Sequence, residues 1–256
     1  MAFGHNAENR AVTGRNLRRL TRVPTLIAFA TAQPIMFVLL FTYAWGGAIH
    51  PPGVDRYIDY ALPGIWVLAI AFGASQTGVA LAEDLATGMI DRFRALPMAR
   101  SAVLAGRVTA DALRNLFVLV LMTGVGYAIG FRFHAGLGAA LAAVVLALAV
   151  GVAFSWIFAL LGLLVRDAES AGIGGLLAVI PLIFTSSTFV PVATFPGWLQ
   201  AFANVNPITV TVDALRALCL GGPTLTAVWQ AVFWIGGLVA VVMPAAVIRY
   251  RHTTAA

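Results

Sequence analysis

Six long apolar runs alternate with short polar connections along this chain, at roughly residues 24–46, 60–82, 113–131, 137–165, 171–193 and 225–248. Each reaches the ~20 residues that cross ~30 Å of hydrocarbon at 1.5 Å per residue. Hydrocarbon offers the backbone no water, so a segment of this kind crosses as a helix that satisfies its own polar groups. The pattern predicts an all-α membrane protein with six transmembrane helices in one domain over residues 23–252, preceded by a tail and short helix within residues 1–22.

The connections carry their own periodicities. Arg15, Arg18, Arg19 and Arg22 fall at i, i+3, i+4 and i+7, with Leu17 and Leu20 opposite, which predicts a helix lying in the membrane interface before Pro24. The same arginines also serve as simple charge anchors, and the two readings are compatible. Between the second and third runs, Leu85, Met89, Phe93 and Leu96 recur at helical spacing among charges, a short amphipathic helix that Pro97 ends. Arg107, Asp111 and Arg114 then follow at i, i+4 and i+7, a face able to pair with itself.

Between the fifth and sixth runs lies a stretch too long and too apolar for an ordinary loop. One piece holds Phe195 and Trp198, Asn206-Pro207 breaks it, and a second piece runs from about Ile208 to Leu220 before Gly221-Gly222. Each piece is too short to span, so two short helices that dip into the leaflet and return are predicted. Asp213 and Arg216 stand at i, i+3 and can pair.

Charge orients this arrangement. All 16 basic side chains are arginine, and 13 of them fall before the first run, between the second and third, after the fourth or after the sixth; only Arg56, Arg132 and Arg216 lie on the other side. Arginine retention on the cytoplasmic face places both termini and residues 84–100 in the cytoplasm and residues 194–222 outside the cell membrane. The net charge of +6 thus follows topology, and anionic membrane lipid is a simpler partner than nucleic acid. With 61% hydrophobic and only 10% charged residues, against about 25% charged in soluble domains, no separate soluble domain fits. The first run is longer than a signal-peptide core, so no cleaved leader is expected. The single Cys219 allows no internal disulfide.

Candidate chemistry is sparse. A phosphate-binding P-loop requires lysine, and the chain has none, so no ATP site is expected here and an ATP motor would be another polypeptide. His5, His50, His134 and His252 sit outside the runs or at their edges, where none can activate a serine at depth, which leaves an intramembrane enzyme as the weakest alternative. No metal-ligand spacing is present, so no metal is expected. Ion-coupled transport is the rival to ATP-driven transport, yet only Asp59 and Asp111, near run edges, supply ionisable groups for it. Small and polar residues do occur within the runs: Gly73, Ser75, Gln76, Thr77 and Gly78 in the second, and Thr185, Ser186, Ser187 and Thr188 in the fifth. They suit close helix packing, or they line a substrate path.

Three segments carry a resemblance. They are Tyr60-Ala61-Leu62-Pro63-Gly64-Ile65; Asp84 with Gly88-Met89-Ile90-Asp91-Arg92-Phe93-Arg94-Ala95-Leu96-Pro97-Met98-Ala99-Arg100; and Phe189-Val190-Pro191, Phe195-Pro196-Gly197-Trp198-Leu199, Asn206-Pro207 and Asp213-Ala214-Leu215-Arg216. Together they resemble the ABC-2 type exporter permeases, and among them the daunorubicin/doxorubicin-resistance-like permease subunits, from about residue 15 onward. The resemblance implies a coupling helix that docks into an ATP-binding subunit through Leu85, Gly88, Met89, Asp91, Arg92, Phe93, Arg94, Pro97 and Arg100. It implies an outer gate at Phe195, Trp198, Asn206, Pro207, Asp213 and Arg216, and a second permease copy or paralogue as partner. No cofactor is expected in this chain; ATP and Mg belong to the partner subunit. Ser75, Gln76, Thr185, Ser186 and Ser187 are the candidates for a translocation path.

Overall fold

A computed structural model of the chain describes residues 24–87, 100–165 and 167–253. The described residues form eight α-helices and no strand: α1 Pro24–Trp45, α2 Tyr57–Ala86, α3 Arg100–Ile129, α4 Gly136–Leu164, α5 Ala168–Phe184, α6 Gly197–Val205, α7 Pro207–Leu220 and α8 Thr224–Thr253. Four are long and apolar enough to cross a membrane: α2, α3 over Gly106–Ile129, α4, and α8 over Thr224–Tyr250. Two shorter apolar helices accompany them, α5 and the Thr31–Trp45 part of α1. The fold is all-α, as the pattern of runs predicts. The interfacial helix expected before Pro24 and the stretch holding Gly88, Met89, Asp91, Arg92, Phe93, Arg94 and Pro97 lie outside the described residues, as does Arg166; Arg100 opens α3.

Two helices depart from the predicted spans. The third begins at Arg100 rather than near residue 113, because its polar first turns are tied to α2. The fifth ends at Phe184 rather than near residue 193. Hydroxyls turn the chain there: Thr185 Oγ1 donates to the Pro181 carbonyl at 2.7 Å and Ser186 Oγ to that of Ile183 at 2.5 Å. Such local bonds give the backbone an alternative to the helical ladder. At its other end α5 is capped by Asp167, which accepts from the amides of Glu169 and Ser170. Bonding to Ser170 and Glu169 holds this carboxyl below the usual carboxylate range.

The α2 helix is the centre of the bundle, packed against α1, α3, α4, α5 and α7. Ile58, Leu62, Ile65, Trp66 and Ile70 are fully enclosed in the main apolar core. Small residues let its neighbours approach to backbone distance, the packing mode that serves where lipid removes any hydrophobic drive between helices. A Cβ on Gly162 of α4 would lie 2.3 Å from the Gly78 carbonyl oxygen, and one on Gly78 would lie 2.6 Å from that of Phe158. A second apolar cluster gathers Leu81 and Leu85 of α2, Val108 of α3, Trp156 and Leu163 of α4 and Tyr250 of α8. By contrast α8 leaves Leu225, Trp229, Phe233 and Val241 exposed.

Candidate functional site

The first turn of α2, the turn after α5, and α7 converge on one hydrogen-bonded network. Arg216 of α7 is its hub. Its Nη1 donates to Asp213 Oδ1 at 2.6 Å, its Nη2 to the Ser187 carbonyl at 2.9 Å, and its Nε to the Tyr60 carbonyl at 3.1 Å. The guanidinium carbon also stands 3.7 Å from the centroid of the Tyr60 ring. Ser187 Oγ donates to the same Asp213 oxygen at 2.7 Å, and the Tyr60 hydroxyl donates to the Ser187 carbonyl at 2.9 Å. One turn earlier the Tyr57 hydroxyl donates to the Phe189 carbonyl at 2.9 Å. Phe189 itself is stacked on Phe41 of α1, with centroids 4.2 Å apart, and meets Trp45 edge-on.

Backbone geometry makes this convergence possible. The residues 186–189 turn lies directly on Gly64, where a Cβ would come 2.6 Å from the Thr188 carbonyl oxygen. Asn206 fixes the break between α6 and α7. Its Oδ1 accepts from the Ile208 amide at 2.9 Å as the cap of α7, and its Nδ2 donates to the Leu182 carbonyl at 2.7 Å. Pro207 follows at the first helical position, where a missing N–H costs nothing. Phe195 is half-buried, while Trp198 on α6 is 75% exposed. The other two arginines at this end also hold loops: Arg56 donates to the Gly130 carbonyl at 2.9 Å, and Arg132 to those of Tyr127 and Phe131.

At the opposite end of α2, Asp84 meets Arg107 at 2.8 Å. Thr77 donates to Asp111, which stands 3.5 Å from Arg114. Of the expected face at 107, 111 and 114, the last two pair with each other, and Arg107 reaches across to α2 instead.

The chain matches the ABC-2 type transporter family over residues 7–220. The chain belongs to this family. It is similar to a daunorubicin resistance ABC transporter permease protein of Streptomyces coeruleorubidus, 33% identical over 94% of this chain and 85% of that one. It is similar also to a doxorubicin resistance ABC transporter permease protein of Mycobacterium tuberculosis, 34% identical over 81% of this chain and 71% of the relative. A probable doxorubicin resistance ABC transporter permease protein from the same organism is 27% identical over 94% and 87%. This ABC-2 protein is therefore a multi-pass membrane permease subunit of an ABC transporter, and ATP hydrolysis resides on a separate subunit.

The structure of this ABC-2 permease brings Asn206, Pro207, Asp213 and Arg216 together around α7, with the expected Asp213–Arg216 pair formed. It joins them to Ser187, a residue that sequence pattern leaves open between packing and a substrate path. The hydroxyls of Ser75, Thr185, Ser186 and Ser187 all donate within the chain, to the Phe72, Pro181 and Ile183 carbonyls and to Asp213. Gln76 alone of the path candidates is exposed. Leu85 packs against the second apolar cluster. Sequence reasoning assigned no role to Tyr57, Tyr60 or Gly64. A signal existed: two tyrosines three residues apart at the start of a span place phenols where an apolar ring and a polar tip are both useful.

Proposed function

We propose that this chain is the permease half of an ATP-driven exporter that carries a hydrophobic drug, antibiotic or lipid-like molecule out of the cell. The observation that carries this reading is the match to drug-resistance permeases over 94% of the chain, joined to a chain without lysine that needs its motor elsewhere. In this reading α1, α2, α3, α4, α5 and α8 cross the cytoplasmic membrane, with both termini and residues 84–100 inside. The arginine split and the four long apolar helices support it. Residues Leu85–Arg100 form the contact with the ATP-binding subunit, which holds ATP and Mg. A second permease, identical or paralogous, completes the unit, with membrane lipid around it. The α6–α7 pair dips into the outer leaflet, and the Arg216 network is the gate that tethers it.

Ion coupling, the rival reading, loses support. Asp59 accepts from the Arg132 amide at 3.2 Å, and Asp111 is engaged by Thr77 and Arg114. The deciding experiment purifies the membrane complex and reconstitutes it in vesicles. An ATP-binding subunit is expected to co-purify, and export to require ATP. Phe93→Asp is expected to abolish that association while membrane insertion continues. Export driven by a proton gradient without ATP would replace this reading with the rival.

A further inference from the structure

The α2 helix runs unbroken for 30 residues and holds a set of polar ties near each end. At the Tyr57 end the ties reach the turn after α5 and α7. At the Ala86 end they reach α3. There, Asp84 and Arg107 pair at 2.8 Å, both largely sheltered. Seven residues back along α2, Thr77 donates to Asp111, which is buried. Arg114 completes this second rung, and Gly73 leaves it room: a Cβ there would lie 2.8 Å from its Nη2. Charges sheltered from water are costly unless they are paired, and here each has an opposite charge within reach. All four charges here face the seam between α2 and α3. Leu81, Leu85 and Val108 seat the same seam against Trp156 and Tyr250. The two helices lead into and out of the connection at residues 88–99, so both rungs tie its two ends together.

We propose that Asp84, Arg107, Thr77 and Asp111 are positioning residues that lock α2 and α3 into one strut. Displacement of the connection is thereby delivered to the Tyr57–Tyr60 end of α2, about 45 Å away at 1.5 Å per residue. From Tyr60 it passes to Arg216 and the α6–α7 pair. A connection with untied stems would instead hinge where it meets α2, and the far end would stay still. The inference rests on the ATP-driven reading above, since it takes residues 88–99 as the place where the ATP-binding subunit pushes.

The test needs no transported substrate. Gly197→Cys is placed at the start of α6 in a Cys219→Ser background, in the full complex with its ATP-binding subunit. The rate of labelling by a membrane-impermeant maleimide is measured with and without ATP and vanadate. An ATP-dependent change in that rate is expected, reduced at least fivefold by Arg107→Ala, by Asp84→Asn and by Thr77→Val. Subunit association, ATP hydrolysis and thermal stability are expected to stay within twofold. The exchange Asp84→Arg with Arg107→Asp is expected to restore the change, and Thr77→Ser to retain it. An ATP-dependent change that survives the three single variants overturns the inference. So does an unresponsive position 197 in an otherwise active complex. Loss of association or stability in every variant, with no recovery in the exchange, overturns it too, because the rungs then serve the fold alone. Absence of any co-purifying ATP-binding subunit is a separate result, and it refutes the underlying reading instead.

Discussion

Arg216 grips Tyr60 twice, through its guanidinium carbon 3.7 Å above the phenol ring and through Nε bonded to the tyrosine's own carbonyl at 3.1 Å. A residue of α7 is thus fastened to both the side chain and the backbone of α2, across 156 positions of sequence. Spacing alone would make Arg216 half of an Asp213 pair whose charges can be exchanged. The Tyr60 and Ser187 carbonyls change that expectation. Arg216→Ala is expected to cut export at least tenfold at normal membrane expression. The exchange Asp213→Arg with Arg216→Asp is expected not to recover it, because a carboxylate would then face two carbonyl oxygens. Arg216→Lys should keep part of the activity. Vesicle export assays check all three, and full activity in Arg216→Ala would remove this network from the mechanism.

Tyr60 separates its two contacts by substitution. Tyr60→Phe loses only the hydroxyl bond to the Ser187 carbonyl, about 0.5–1.5 kcal/mol by the usual worth of such a bond. Tyr60→Leu also loses the ring beneath Arg216, a further 0.5–2 kcal/mol or so. Thermal unfolding in detergent should rank wild type above Tyr60→Phe and Tyr60→Phe above Tyr60→Leu.

Asn206 has a cap to keep and a donor to lose. Asn206→Asp preserves the acceptor for the Ile208 amide and removes the donor to the Leu182 carbonyl. Asn206→Ala removes both, and the cap alone is worth about 0.5–2 kcal/mol. Asn206→Ala should therefore be the less stable of the two, and protease nicking near residue 206 should increase in that order.

Gly64→Ala puts a methyl 2.6 Å from the Thr188 carbonyl oxygen, so the turn must move off α2. Overpacking of this kind costs about 1–3 kcal/mol. Gly124→Ala, in α3, meets nothing within 4 Å and is the matched control. Its midpoint of thermal unfolding should equal or exceed that of the wild type, since alanine is the better helix former.

Thiol chemistry reports sidedness. Cys219 is fully buried and should resist an impermeant reagent in the folded protein. Cysteine at Gly197, where a Cβ meets nothing within 4 Å, should label in intact cells, and cysteine at Gly88 only after lysis. Labelling of position 88 in intact cells would invert the orientation argued from arginine.

The helices were legible because an apolar run of twenty residues has few other ways to satisfy its backbone. The Asp213–Arg216 pair was legible for a similar reason, since i, i+3 spacing on a helix is itself a geometry. Arg216's other partners were not, because Tyr60 and Ser187 receive it through carbonyls, which every residue carries alike. The end of α5 was hidden for a different cause. Residues 185–190 sit inside a run that hydropathy reads as continuous, and only the side-chain bonds of Thr185 and Ser186 show where the helix stops. Arg107 had an acceptor on its own helix and took Asp84 on another, a choice set by how α2 and α3 meet.

The contact between Gly78 and Gly162 bears on where anything can travel. With the α2 and α4 backbones in touch there, even a methyl group has no place between them. At that level the seam between α2 and α4 is shut, so no passage through the membrane runs between these two helices there. In the proposed exporter, the route would then lie on the other faces of these helices, where a second permease could supply the facing wall.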